Sequence, residues 1–289
     1  MSSVALMDAR SIAATAANGG KLTAATDLDV EYTNPEYHYN ASLYEKRVYN
    51  GWGKAEPDAE LRFGPNIKDW PEMPALTNDL LVKVCSYITD ELIPSGETSS
   101  YRSNPERLSE FALSRRDPQY VGRSKEMRAI ERDREAGKAL PEEVMKVYEA
   151  LTKAGIANDP ANTDIGSTIF ANMPGDGSAR EQAASCQRVM GASANFAKQY
   201  ATKRYRSNCI NWGMTPFLVE NPEVFELGDY IFVPGIREAV LENKASFSAY
   251  AVKPDGTVTE FPVSTGALTE AERQIIADGC LINYYRNNQ

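Results

Sequence analysis

The eight residues Leu80–Tyr87 (Leu-Leu-Val-Lys-Val-Cys-Ser-Tyr) constrain this chain more than any others. The run is apolar, β-branched and of strand length. Strand and helix patterns follow it in mixed order. Asn104-Pro105 opens a helix with proline at its first position, and Leu108, Phe111 and Ala112 share one face. Ser124–Ala136 is highly charged and is predicted to be a solvated helix. Pro141–Ala154 places Val144, Val147, Tyr148 and Leu151 at amphipathic helical spacing. Ser167–Ala171 is a predicted strand, followed by a glycine-rich turn and a helix from Ser178. Strands are expected over residues 192–197 and Tyr230–Val233, with a helix between them reaching about Trp212. Phe247–Val252 and Thr257–Val263 flank Pro254-Asp255-Gly256, a hairpin signal. Thr269–Asp278 reads as a last helix with Gly279 just past its end. This succession predicts an α/β domain whose sheet is covered by helices.

Ahead of Leu80 the pattern is weaker. Residues 5–18 read as an alanine-rich helix closed by Gly19-Gly20. It has nothing ahead to pack against, as expected of the last helix of a preceding domain. Residues 26–78 show little periodicity and read as a linker. The expected organisation is therefore 1–25 as that helix, 26–78 as linker, and 79–289 as the main domain.

Charge and cysteine usage exclude several classes. The net charge of −9 argues against nucleic acid as a partner, which wants a basic face. No apolar run approaches the length of a membrane span, and the first residues lack a signal peptide's basic start. Cys85, Cys186, Cys209 and Cys280 are scattered without a CxxC pair, which argues against a metal site in this chain and fits the cytoplasm. The single histidine is His38.

Chemistry concentrates in Gly175-Asp176-Gly177-Ser178-Ala179-Arg180-Glu181, between a predicted strand and a predicted helix. The glycines let backbone N–H groups approach a ligand. The helix start favours an anion. Arg180 offers a bidentate fork for a carboxylate, and a serine in that field loses its proton more easily. Ser178-x-x-Glu181 is also a capping box, and the pattern alone favours that reading. A phosphate-binding loop lacks the lysine that should follow the glycines. A second segment, Thr89-Asp90-Glu91-Leu92-Ile93-Pro94-Ser95-Gly96, follows the Leu80–Tyr87 strand, with Arg102 twelve residues past Asp90. Taken singly, Asp90 reads as a turn residue and Arg102 as surface charge.

Together these segments resemble the C-terminal swivelling domain of the aconitase family. Thr89-Asp90-Glu91-Leu92 with Arg102 matches the family's Thr-Asp-His-Ile and its following arginine. Gly175–Glu181 matches Gly-x-Gly-Ser-Ser-Arg-Glu, and Asn208-Cys209 through Gly213 to Pro216 matches the family's Asn-Cys-x-x-x-Gly-Leu-Leu-Pro element. The resemblance implies a swivelling β/β/α fold with a mixed sheet and flanking helices. It implies a hydro-lyase acting on a di- or tricarboxylic acid such as citrate or isocitrate. Ser178 would be the base, Asp90 part of the acid–base shell, and Arg102, Arg180, Gly177 and Ala179 the carboxylate contacts. The family's [4Fe–4S] cluster sits in N-terminal domains, here to be supplied in cis or by a large subunit, so this chain is expected to bind no cluster and to be inactive alone.

Departures from the pattern matter. Ala179 replaces the family's second serine, Glu91 and Gln182 stand where many members have histidine, and the stretch from Arg115 to about Asp164 has no clear counterpart. The missing serine supports an alternative, a non-catalytic module that binds a carboxylate or a partner. An esterase using Ser178 would need a histidine, and His38 lies in the linker.

Overall fold

In the computed structural model, residues 4–31, 33–47, 51–88, 92–94 and 96–288 are described. The chain divides into two compact units, Met1–Leu61 and Arg62–Gln289. In the first, the helix expected over residues 5–18 runs Ala9–Ala17 (α1). Asp8 caps it, its carboxylate accepting from the N–H groups of Arg10 and Ser11. Gly19 and Gly20 then turn the chain at positive φ. Among the described residues that follow, a 3₁₀ turn, Ala25–Asp27, and a short helix, Ser42–Glu45 (α2), are formed.

The second unit is an α/β domain. Its strands are β1 (Asp79–Ile88), β2 (Thr163–Ala171), β3 (Ala194–Ala197), β4 (Thr215–Leu218), β5 (Tyr230–Val233), β6 (Phe247–Val252) and β7 (Val258–Val263). They form one mixed sheet in the order β4-β3-β2-β1-β5-β6-β7. The half from β4 to β1 is parallel, and the half from β1 to β7 is antiparallel. Its helices are α3 (Pro105–Ser109), α4 (Tyr120–Glu135), α5 (Glu142–Lys153), α6 (Arg180–Met190), α7 (Lys203–Asn211), α8 (Ile236–Leu241), α9 (Glu270–Asp278) and α10 (Leu281–Asn287).

The alternation of β1 divides the interior into two cores. Leu81 and Cys85 point into one, with Ile165, Ile169 and the apolar faces of α5 and α6. Leu80, Val82 and Val84 point into the other, with Phe170, Phe196, Phe217 and Ile276. A strand buried on both faces must be apolar almost throughout, which is why Leu80–Tyr87 stands out in the sequence.

Three expectations are revised. The charged helix α4 is not a free surface helix: Tyr120, Ser124 and Met127 are buried, and Ser124 Oγ lies 2.5 Å from Ser167 Oγ on β2. Strand β4 and helices α8 and α10 escaped the sequence reading. Part of the expected linker belongs to the domain: Lys68 N–H donates to Ser103 O, Leu76 N–H to Ala277 O, and the Trp70 ring lies 4.3 Å from that of Trp212.

Candidate functional site

Parallel pairing of β1 and β2 puts their carboxyl ends side by side, Ile88 opposite Ala171. The loop after each strand therefore leaves the same edge of the sheet, where ligands of parallel α/β sheets bind. The two segments singled out in the sequence are these loops. Between them lies a cavity of about 550 Å³, bordered by Leu92, Ile93 and Gly96 from one and by Gly175–Arg180 from the other.

The β2–α6 loop is built around Gly175. Its φ is +96°, and a Cβ there would lie 2.3 Å from Tyr205 Cβ. Tyr205 is fully buried on α7, with its hydroxyl 2.9 Å from both Gln187 Oε1 and Asn195 Nδ2. The loop rests on a fixed wall, and only glycine fits against it. Arg180 then clamps the loop from inside. Its Nε donates to Gly175 O (2.9 Å) and its Nη2 to Asp176 O (2.8 Å), while Thr202 Oγ1 also donates to Gly175 O (3.1 Å). Two of the five guanidinium N–H groups are used this way, leaving three for a ligand.

The capping box read from Ser178-x-x-Glu181 does not form. Helix α6 starts at Arg180, its N-cap is Ala179, and no side chain caps it. Glu181 instead accepts a hydrogen bond from Trp212 Nε1 at 3.1 Å. Ser178 is exposed at the cavity and makes no side-chain hydrogen bond among the described residues.

Gly177, Ser178, Ala179 and Arg180 thus converge on one cleft. Asp90 lies outside the described residues. Arg102 does not join them: it is exposed, follows the 3₁₀ turn Ser99–Tyr101, and is not part of the cavity wall. Tyr101 stacks on Phe111 at 5.5 Å with Arg107 over its ring, which fixes that turn.

The arginines that do line the cleft beside Arg180 are Arg115 and Arg116. They follow Leu113, a buried non-glycine residue at φ +55°. That conformation costs about 1–2 kcal/mol. Leu113 is held in it by donation of its N–H to Leu92 O (2.8 Å) and by acceptance at its own carbonyl from Arg116 and Asp117. Nothing local in the sequence marks this turn, because the constraint comes from Leu92, in the loop after β1.

The four cysteines are buried and unpaired. Burial pushes the Cys85 and Cys209 thiols up to about 12, and that of Cys186 higher still. A cluster needs several thiolates brought together at one place. Among the described residues, no group of three His, Cys, Asp or Glu side chains is placed to hold a metal ion. Among them also, no helix is long and apolar enough to cross a membrane.

No family model matches the chain. It is similar to the methanogen homoaconitase small subunit of Methanocaldococcus jannaschii, 30% identical over 138 residues, spanning 47% of this chain and 72% of that protein. Among solved structures it is similar to 3-isopropylmalate dehydratase from the same organism, with a TM-score of 0.42 and 20% identity over 73% of this chain and 95% of that one. A sequence likeness covering most of a homoaconitase small subunit, on an α/β domain with a mixed sheet, shows that the chain belongs to the aconitase family, among its swivelling-domain proteins.

Proposed function

We propose that this chain is the substrate-gripping half of a hydro-lyase that adds water to, or removes it from, a di- or tricarboxylic acid such as citrate or isocitrate. The observation that carries the reading is Ser178, released from capping and set beside Arg180 in a cleft. Arg115, Arg116 and Arg180 line that cleft together with Asp176. Removing a proton from carbon next to a carboxylate needs a base whose charged form is stabilised. An alkoxide at Ser178 meets the field of Arg180 and the loop N–H groups, and the ligand's carboxylates pair with the same cations. Arg180 both shapes the loop and holds the acid.

The [4Fe–4S] cluster of the family pattern belongs, in this reading, to a partner segment, in cis or as a large subunit, and among the described residues no group of side chains is placed to hold a metal ion. A cytoplasmic setting, where thiols stay reduced, is part of the same reading. The test is reconstitution with a cluster-bearing large subunit, following the double-bond absorbance of the unsaturated acid. Ser178→Ala should lower kcat by about 10²–10⁴-fold, the usual worth of a positioned base. If activity survives, the chain is a carboxylate-binding module and not the source of the base. Turnover by this chain alone would overturn the division of labour.

A further inference from the structure

Helix α6 has a ready-made cap that it does not use. Ser178 and Glu181 stand three residues apart, as a capping box requires. In that box the serine oxygen accepts from the N–H of the third helical residue, and the glutamate accepts from the serine N–H. Neither bond forms, and the helix starts at Arg180 without a side-chain cap. What draws the glutamate away is on the neighbouring helix. The Glu181 carboxylate accepts from Trp212 Nε1 at 3.1 Å, its one hydrogen bond among the described residues. Trp212 closes the end of α7, where its N–H donates to Asn208 O and Cys209 O. Its ring lies 4.3 Å from that of Trp70. Trp70 in turn sits on a segment pinned on both sides. Lys68 N–H donates to Ser103 O, and Met73 O accepts from Asn283 Nδ2 at 2.7 Å. The indole N–H is therefore aimed at Glu181 by two elements outside the cleft.

We propose that Trp212 is a positioning residue for Ser178, and that Trp70 seats its ring. By holding Glu181, Trp212 keeps the capping box open and leaves the serine hydroxyl free for the cleft. A capping hydroxyl would be turned onto its own helix. The returning carboxylate would also set a negative charge beside the group that has to become an alkoxide, which disfavours the charged form. The consequence for catalysis rests on the hydro-lyase reading, but the competition between Trp212 and the capping box belongs to the chain alone.

The experiment measures the solvent exchange of the Ser178 N–H by NMR in the full chain, without ligand or partner. Trp212→Phe keeps a ring for Trp70 to stack on and removes only the donor. Glu181 should then return to the Ser178 N–H and slow its exchange by about fivefold, the factor that one net hydrogen bond of ordinary strength represents. Adding Glu181→Leu to Trp212→Phe removes the carboxylate and should restore the wild-type rate. Trp70→Ala leaves the donor but unseats its ring, and should slow exchange by a smaller factor. In the enzyme reconstituted with a large subunit, Trp212→Phe should lower kcat by about the same fivefold and leave KM unchanged, because Arg180 keeps its bonds. Exchange that does not slow in Trp212→Phe, or that stays slow in the double variant, overturns the proposal. Unchanged exchange in Trp70→Ala overturns the part given to Trp70. Failure of the hydro-lyase reading looks different. Exchange would still slow in Trp212→Phe, while Ser178→Ala would keep full activity.

Discussion

Replacing Gly175 by alanine tests whether the loop that carries Ser178 is set by its wall. The new Cβ would lie 2.3 Å from Tyr205 Cβ and 2.6 Å from its Cγ, where real Cβ atoms essentially never come under 3.0 Å. Tyr205 cannot retreat, because it is fully buried and its hydroxyl is bonded on both sides. The positive φ of residue 175 costs an alanine about 1–2 kcal/mol, and forcing a methyl into packed surroundings costs about 1–3 kcal/mol. A total of roughly 2–5 kcal/mol is a large part of the 5–15 kcal/mol that holds a typical domain together. At about 2–4 °C per kcal/mol for a unit of this size, the Tm should fall by roughly 4–20 °C. Thermal melts of Gly175→Ala, Tyr205→Ala and the double variant measure it. Truncating Tyr205 costs about 3–5 kcal/mol by itself but removes the clash, so the double variant should lose at least about 1 kcal/mol less than the two singles together. A Gly175→Ala chain melting with the wild type, or strictly additive losses, would refute the idea that Tyr205 positions the loop.

Two further outcomes follow from the geometry. Ser178→Ala should leave stability within about 0.5 kcal/mol, whereas Thr269→Ala, which breaks the capping box formed with Glu272 on α9, should cost about 1 kcal/mol; equal losses would mean that Ser178 caps α6 after all. Glu131 is pushed up to about 7 by burial and by nearby Asp164, against the pull of Arg134 and the Ile165 N–H. A carboxyl whose folded pKa is raised stabilises most at pH below its unfolded value, and the contribution fades as pH rises through about 7. The wild-type Tm should therefore decline between pH 5 and 8 more steeply than that of Glu131→Gln, and parallel profiles would contradict this.

Much was legible in the residues themselves. The double-sided burial of β1 is written in its nearly unbroken apolar run. The hairpin between β6 and β7 follows from Pro254-Asp255-Gly256, with Gly256 at φ +85°. The end of α9 follows from Gly279 in the left-handed region. These features depend on local backbone preference and on periodicity, both of which a single sequence displays. Strand β4 was hidden because it is four residues long and contains Pro216, a residue tolerated only because the strand lies at the sheet's edge.

The site divides along the same line. The sequence by itself determined that Gly175–Arg180 is a turn ahead of a helix with an arginine and a serine close together, because glycine and the helix start act within a few residues. Only the tertiary structure decided what that serine is free to do. Helix α6 begins one residue later than the capping pattern implies, since Arg180 is drawn back onto Gly175 and Asp176, and Glu181 is drawn away to Trp212. Only the tertiary structure, too, brought Arg115 and Arg116 to the cleft wall. Parallel pairing of β1 with β2 and the bond from Leu113 to Leu92 bring these segments to one cavity, and both link residues far apart in the chain, where spacing carries no information.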